Sequence, residues 1–237
     1  MTITSADNPK LKTVRKLARK AQRSAGERFV AEGEDLLAAA DAAGWQPEFR
    51  LCAAGSDLPG EPVEPDLLAA VSALGSGSRA LAVYPQRWSA PAGPLAVHLH
   101  GVGDPGNVGA VLRSAQAFGA ASVVLGPGSA DPFGPKAVRA SMGAIFSVPV
   151  ARAAAVEDLP GERIALVAGA GEALHGPASG PVTIVVGAER DGLPHAVTAA
   201  CDRVAHISIA SESLNVAMAA TVALYELTRS PPSRIAR

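Results

Sequence analysis

The stretch LAVHLHGVGDPGNVGAVLRSAQAFG, residues 95–119, contains an apolar run, a glycine-rich loop and a helical pattern, in that order. Residues 95–100 form a strand candidate, and Gly109–Phe118 is helix-like. A strand that leads at once into a helix is the repeating unit of a parallel α/β sheet. The stretch therefore predicts this fold class for the part of the chain that contains it.

The same alternation extends over the rest of the chain. Beyond the quoted stretch, the predicted strands are Ser122–Leu125, Arg163–Ala168 and Val182–Val186, and the predicted helices are Lys136–Met142 and Leu214–Arg229. Before it, the predicted strands are Arg28–Ala31, Phe49–Ala53 and Ala80–Tyr84, and the predicted helices are a basic helix from Pro9 to about Ala25, Glu34–Ala43 and Asp66–Leu74. The pattern favours a mostly parallel sheet preceded by a smaller α/β unit.

A segment rich in proline separates the two parts. Residues 85–94 contain three prolines and one glycine, which is typical of a linker. We predict a first domain over residues 1–88, a linker over 89–94 and a second domain over 95–237.

Composition excludes several classes of protein. The chain has 237 residues, 48% of them hydrophobic, and a formal net charge of −1, which is typical of a globular protein. No apolar run approaches the ~18 residues of a membrane span, and the start of the chain has no apolar stretch of the signal-peptide kind. Cys52 and Cys201 have no metal-ligand spacing and are expected to be reduced thiols. We therefore expect a cytoplasmic protein without a membrane partner.

Charge is distributed unevenly along the chain. Residues 1–28 contain eight basic and two acidic residues, whereas the rest contains 13 basic and 20 acidic residues. A cationic arm on an acidic body suits a polyanionic partner, although a solvated helix face remains the alternative. The candidate RNA-binding residues align in two i, i+4 rows of like charge: Lys12, Lys16 and Lys20, and Arg15, Arg19 and Arg23.

The glycine-rich loop also matches the dinucleotide fingerprint GxGxxG over Gly101–Gly106. Two features oppose this hypothesis: the next strand ends in Gly126-Pro127, where an acidic ribose ligand is required, and Pro105 removes a backbone N–H. A tight connection without any ligand is a second alternative.

Other motifs are missing from the sequence. It has no GxxxxGK[ST], HExxH, GxSxG or CxxC pattern. His98 and His100 face one side of a strand, but no third ligand is in view, so we expect no metal.

Three segments together resemble the signature motifs of the SpoU/TrmH family of RNA ribose 2′-O-methyltransferases. Their sequences are GDPGNVGAVLRSA (103–115), IVVGAERDGL (184–193) and ISIASESLNVAMAA (207–220). Residues 139–143 are similar to a further family element, and the segment FVAEGEDLL (29–37) is loosely similar to the family's RNA-binding domain.

The resemblance implies a fold and an activity. The second domain would be an α/β domain with a C-terminal trefoil knot, and the first a small α/β/α RNA-binding module. The protein would be a homodimeric enzyme that transfers a methyl group from S-adenosylmethionine to a ribose 2′-hydroxyl in RNA. Ribosomal RNA is the expected substrate, transfer RNA is the alternative, and a non-catalytic RNA-binding protein is the alternative from another class.

The resemblance also implies roles for individual residues. Gly187, Ile207 and Leu214 would line the cofactor pocket, and Ile209, Leu125 and Gly126 are further candidates for its wall. The catalytic candidates are Arg113, Asn107, Glu189, Ser213 and Asn215.

Because an arginine side chain keeps its proton in proteins and is costly to deprotonate, we favour phosphate anchoring by Arg113 over general-base catalysis. Asn107 could hold the loop and Arg113 in place, or only form a turn or cap. Ser213 and Asn215 could equally cap the last helix.

The third motif departs from the family. This chain has Ile207-Ser208-Ile209 where the family usually has Ile-Pro-Met, and the following turn is about two residues shorter. We therefore expect altered cofactor contacts over residues 207–212.

Overall fold

A computed structural model of the protein describes residues 1–73 and 78–229. Leu74, the last residue of the helix predicted over 66–74, lies outside the described residues. So do residues 230–237, the end of the predicted second domain.

The first part of the chain forms a four-stranded sheet of order β1-β4-β2-β3. Its strands are β1 (Arg28–Glu32), β2 (Phe49–Ala53), β3 (Glu61–Val63) and β4 (Ala80–Pro85). Its helices are α1 (Pro9–Leu17), α2 (Lys20–Gly26), α3 (Glu34–Ala42) and α4 (Pro65–Ala69). Side chains alternate between the faces of a strand, so Val30 packs with Leu11 of α1 and Leu68 of α4, whereas Phe29 packs with Leu37 of α3 on the other face.

The single basic helix predicted at the start of the chain is wrong, because the helix breaks between α1 and α2. Arg19 has extended backbone angles, φ −93° and ψ 130°. The guanidinium of Arg23 donates hydrogen bonds to the carbonyl oxygens of Leu17 and Ala18 at 2.9 and 2.8 Å. These carbonyls lie at the end of α1 and lack helical partners, so the arginine stabilises the break. The two predicted rows of like charge are therefore interrupted.

The second part of the chain forms a seven-stranded sheet in which every pair of neighbouring strands is parallel, as predicted. The strand order is β7-β6-β5-β10-β8-β11-β9. The strands are β5 (Leu95–Leu99), β6 (Ser122–Leu125), β7 (Val150–Arg152), β8 (Glu162–Leu166), β9 (Glu172–Ala173), β10 (Val182–Val186) and β11 (Arg203–His206). The helices are α5 (Pro105–Ala117), α6 (Pro135–Ala140), α7 (His195–Ala199) and α8 (Val216–Thr228).

Helix α5 begins four residues before the predicted start at Gly109. Asp104 is its N-cap and accepts a hydrogen bond from the backbone N–H of Gly106, and Pro105 occupies the first helical position. The carboxylate of Asp104 therefore lies where the dinucleotide hypothesis needs a pyrophosphate. Two anions cannot share one helix N-terminus favourably, so this geometry argues against that hypothesis.

An aromatic cluster joins the two sheets. The ring of Phe29 on β1 lies 5.0 Å from that of Phe133, in the loop before α6. The Trp45 ring lies 5.2 Å from that of Phe146, and its Nε1 donates a 2.8 Å hydrogen bond to the Phe146 carbonyl oxygen. Aromatic contacts of this kind fix the loops of the second sheet against the first. The predicted division of the chain at residues 89–94 stays a prediction.

Two kinds of feature are absent from the described residues. None of the helices there combines the length and apolar character of a membrane span. No group of three or more histidine, cysteine, aspartate or glutamate side chains in residues 1–73 and 78–229 could hold a metal ion. His98 and His100 lie side by side, with ring centroids 6.1 Å apart.

His98 is expected to make the protein sensitive to acid. Its side chain is only 1% exposed, and burial, followed by the charge of His100, lowers its pKa from 6.5 to about 4. Below pH 6.5 the unfolded chain binds a proton at His98, whereas the folded chain does not. The free energy of unfolding therefore falls as the pH is lowered to about 4, where His98 of the folded protein is protonated as well. The loss attributable to His98 is up to about 3 kcal/mol.

Denaturant unfolding at pH 7 and pH 4 measures this effect. The free energy of unfolding of wild type should fall between the two values by more than that of His98→Leu, which has no proton to bind at this site. An equal fall in both proteins would show that His98 does not cause the sensitivity.

Candidate active site

A cavity of about 270 Å³ lies at the carboxyl ends of three neighbouring strands of the large sheet. Leu166 ends β8, Val186 ends β10 and Ile207 follows β11, and all three line the cavity. The start of α8 closes one side of it. In open parallel sheets ligands bind outside the carboxyl ends of the strands, so this is the expected place for a ligand. Four of the predicted cofactor-binding residues line it: Gly187, Ile207, Ile209 and Leu214.

Gly187 permits a tight turn at the cavity wall. The backbone groups of Ala188 and Gly192 exchange two hydrogen bonds, of 3.1 and 3.0 Å. A Cβ atom on Gly187 would lie 2.2 Å from the carbonyl carbon of Gly192 and 2.5 Å from the amide nitrogen of Leu193. Such a contact is impossible without displacing backbone, so only glycine fits here.

A hydrogen-bonded cluster joins one residue from each of the three signature segments. The side-chain amide of Asn107 on α5 donates to a carboxylate oxygen of Glu189 at 2.6 Å. The side-chain amide of Asn215 donates to the side-chain oxygen of Asn107 at 3.1 Å. Asn215 also caps α8, since its side-chain oxygen accepts from the backbone N–H groups of Ala217 and Met218 at 2.9 and 3.3 Å. Glu189 is thereby held at the rim of the cavity.

Arg113 lies apart from this cluster. It is exposed on α5, six residues after Asn107 and therefore about 9 Å further along the helix axis. Among residues 1–73 and 78–229, no carboxylate pairs with its guanidinium. The side chain of Asn107 bonds to Glu189 and Asn215 instead, so the suggestion that Asn107 holds Arg113 is wrong. The neighbouring Ser114 joins α5 to α8 through a 2.6 Å hydrogen bond with Thr221.

Of the two residues that could cap the last helix, only Asn215 does so. Helix α8 starts at Val216, two residues later than predicted, and Asn215 is its cap. Ser213 is exposed and lines the cavity beside Leu214. Its hydroxyl is therefore free of a capping role.

Leu125 and Gly126 do not line the cavity at β8 and β10. They line a second cavity of about 360 Å³ at the ends of β6 and β7, on the other side of β5. Their part in the cofactor pocket stays a prediction, and β5 separates them from the first cavity. Gly126 instead leaves room for the ring of His98, whose Nε2 would lie 2.6 Å from a Cβ at that position.

The basic residues of the first helices have different environments. Arg23 is 5% exposed and its Nη2 lies 2.7 Å from the Asp131 carboxylate, so its assignment as an RNA ligand is wrong. Lys12 pairs with Asp7 at 2.9 Å, and Arg15 donates to the carbonyl oxygen of Ala6 at 2.8 Å. The remaining candidates are exposed and form no ion pair within the described part of the chain: Lys16, Arg19 and Lys20.

Sequence reasoning missed some residues of the first cavity. Arg190 lines it next to Glu189, and Leu166 and Ala168 line it after β8. Arg190 lies inside the second signature segment, residues 184–193. The residues after β8 could have been predicted because ligands bind at the carboxyl ends of the strands in a parallel sheet.

The sequence matches known proteins over most of its length. The model of the SpoU rRNA Methylase family matches residues 94–225. The 23S rRNA (guanosine(2553)-2′-O)-methyltransferase RlmP of Bacillus subtilis is 30% identical over 95% of this chain and 98% of its own length. The 23S rRNA (guanosine-2′-O-)-methyltransferase RlmB of Vibrio parahaemolyticus is 36% identical over 57% of this chain, and the match spans only 59% of that relative.

Solved structures share the fold of most of this chain. An AdoMet-bound rRNA methyltransferase from Sinorhizobium meliloti superposes with a TM-score of 0.84 at 28% identity, over 96% of this chain and 97% of that one. AviRb, a SpoU methyltransferase from Streptomyces viridochromogenes in complex with AdoMet, gives 0.83 at 24% identity, over 93% of this chain and 97% of that one, which supports the fold alone.

Proposed function

Because the chain belongs to the SpoU rRNA Methylase family, we propose that it transfers a methyl group from S-adenosylmethionine to a ribose 2′-hydroxyl of ribosomal RNA. The observation that carries the proposal is the cluster of Asn107, Glu189 and Asn215, which unites the three signature segments at the rim of one cavity. This placement puts polar groups beside an apolar pocket, as a methyl transfer between a bound cofactor and a hydroxyl requires.

The residues of the cavity suit this cofactor. Its walls include the apolar side chains of Leu166, Ile207 and Leu214, which suit an adenine ring, and the tight turn at Gly187 brings backbone groups close to the space. Arg190 and Ser213 supply charged and hydroxyl groups for the polar parts of the molecule. The cofactor supplies a methyl group on a positively charged sulfur, which an oxygen nucleophile can attack.

Arg113 and Glu189 have different roles in the proposal. A ribose hydroxyl must lose its proton as its oxygen bonds to the methyl carbon and the carbon–sulfur bond breaks. A guanidinium is already protonated and has no lone pair to accept this proton, so Arg113 binds a phosphate of the RNA and stabilises negative charge on the nucleophile. Glu189, oriented by Asn107, is the carboxylate placed to accept the proton.

Ribosomal RNA is the proposed substrate because the relatives RlmP and RlmB carry names of 23S rRNA enzymes. Contacts would go to phosphates and to an exposed loop nucleotide, since a ribose within a helix is hard to reach. The exposed cations Lys16, Arg19 and Lys20 are the proposed phosphate ligands of the first domain. We propose the cytoplasm as the location of the protein, since ribosomal RNA is its proposed substrate, and cell fractionation would test this proposal.

We propose that the protein is a homodimer in which α8 contacts its copy. Met218, Val222 and Tyr225 follow helical spacing and are 61%, 39% and 56% exposed. An exposed apolar row of this kind favours a protein interface, and the ring of Tyr225 also contacts that of Phe118 from α5 at 6.3 Å. Sedimentation at the mass of a single 23.9 kDa chain would contradict the dimer.

A trefoil knot in the second domain belongs to the same proposal. The strand order supports it, because β10 lies between β5 and β8, and β11 then returns to the far side of β8. An experimentally determined trace of the chain between β8 and α8 would test the threading.

Transfer of labelled methyl from S-adenosylmethionine tests the proposed activity. Unmodified ribosomal RNA and unmodified transfer RNA should be supplied in separate reactions. After alkaline hydrolysis the label should remain in an uncleaved dinucleotide, because alkali cleaves RNA only beside a free 2′-hydroxyl. We expect label in ribosomal RNA alone. Label in transfer RNA alone would establish the alternative substrate, and cofactor binding without any transfer would favour a non-catalytic RNA-binding protein.

A further inference from the structure

The second cavity, which we call the seam pocket, lies between the two parts of the chain. Lys20 and Ser24 of α2 form one side, and Trp88, at the end of the predicted first domain, lies next to them. Gly126 after β6 and Arg152 at the end of β7 form the other side. Both parts of the protein therefore contribute side chains to one space of about 360 Å³.

The guanidinium of Arg152 is held in place by stacking. Its central carbon lies 3.7 Å from the centre of the Trp88 ring. The ring itself is fixed, since its Nε1 donates to Gln86 at 3.2 Å and its edge packs on Phe133 at 5.1 Å between ring centroids. A guanidinium stacked by its face keeps its N–H edge free, and that edge matches the two oxygens of a phosphate.

The charge of the pocket is positive. Within the described residues, neither Lys20 nor Arg152 forms an ion pair. The only acidic side chain of the lining is that of Asp131, which is already satisfied. One of its oxygens accepts two hydrogen bonds from Arg23, at 2.9 and 2.7 Å, and the other accepts from the backbone N–H of Phe133 at 3.0 Å. Two cations thus remain without a counter-charge.

The seam pocket and the active-site cavity open on the same edge of the large sheet. The seam pocket is at the carboxyl ends of β6 and β7, and the active-site cavity is at those of β8 and β10. Only β5 lies between β6 and β10, so those two strand ends are about 10 Å apart. A single RNA strand can span that distance.

We propose that the seam pocket binds a backbone phosphate of the substrate RNA close to the target nucleotide, with Arg152 as the principal ligand and Lys20 as the second. This inference rests on the proposed function for the identity of the RNA. It adds a contact that depends on both domains, because α2 and β7 must be docked for the two cations to meet one phosphate. The seam pocket would thereby set which nucleotide along the strand reaches the active site.

The test compares three variants in RNA binding as a function of salt. The double variant Lys20→Gln/Arg152→Gln should weaken binding of ribosomal RNA by about tenfold and lower the slope of log affinity against log salt by about one, since one phosphate contact is removed. Arg152→Gln alone should lower the slope by about one. Arg87→Gln is the matched control, since Arg87 is also exposed and stacks on a tryptophan, at 4.0 Å from Trp45, but lies outside the pocket.

A second readout separates this inference from the proposed activity. Affinity for S-adenosylmethionine should be unchanged in all three variants, and KM for RNA should rise in the double variant while kcat stays within twofold. If wild type binds RNA but transfers no methyl group, the proposed activity fails and the salt slopes still decide the role of the seam pocket. An unchanged slope in the double variant, or an equal change in Arg87→Gln, would overturn the inference. The inference would also be overturned if inorganic phosphate bound the seam pocket but the double variant showed the same slope of log RNA affinity against log salt as wild type.

Discussion

Substitution of Arg113 by alanine is expected to lower the rate of methyl transfer by about 10²- to 10⁴-fold. The guanidinium is exposed and forms no ion pair with the described residues, so its charge is available for RNA rather than for the fold. Loss of a charged group that acts mainly in the transition state lowers kcat, and loss of a phosphate anchor raises KM for RNA. Single-turnover transfer of labelled methyl, at saturating cofactor, separates the two effects.

Three comparisons make the Arg113 result specific. Arg113→Lys keeps the charge but loses the bidentate geometry and should retain part of the activity. Gln116→Ala removes another exposed side chain of the same helix and should behave as wild type. Affinity for S-adenosylmethionine and melting temperature should be unchanged in all three variants. An Arg113→Ala enzyme with activity within tenfold of wild type would refute the proposed role.

Local pattern was enough to find most of the elements that build the site. Strands β6 and β10 occur with the predicted bounds, because each is an apolar run ended by glycine. The sequence does not predict strands β7, β9 and β11, since they are short segments without a continuous apolar run and take their structure from neighbours in the sheet. The apolar strands are enough to predict the fold class, but they do not predict the order of the strands in the sheet.

Contacts between distant segments explain what local pattern could not predict. Arg23 was predicted to bind RNA from its spacing with Arg15 and Arg19, but it is buried against Asp131, which lies 108 residues further along the chain. Leu125 and Gly126 follow a strand just as Gly187 does, yet β5 separates them from the active-site cavity. The cluster of Asn107, Glu189 and Asn215 could be named from motifs, whereas its hydrogen bonds depend on the tertiary fold.

Substitution of Gly187 by alanine is expected to weaken binding of S-adenosylmethionine by at least about 100-fold, which corresponds to about 2.7 kcal/mol. The added methyl group would lie 2.2 Å from the carbonyl carbon of Gly192 and 2.4 Å from its oxygen, and both of these are backbone atoms. The turn from Gly187 to Leu193 must therefore move. This turn carries Glu189 and lines the cavity, so its displacement changes the cofactor site and breaks the hydrogen bond from Asn107.

Gly180→Ala is the matched control for this substitution, because a Cβ there meets no atom within 4 Å. It should bind the cofactor as wild type does in calorimetric titration. Loss of affinity in Gly187→Ala with a circular dichroism spectrum like that of wild type would place the effect in the turn rather than in global unfolding. Unchanged affinity would show that the turn can shift without reaching the cofactor, and the binding site would then have to lie elsewhere along the carboxyl edge of the sheet. Of the cluster, only Glu189 shares the turn with Gly187, so the cluster can be perturbed without the turn from Asn107 on α5 or from Asn215 at the start of α8.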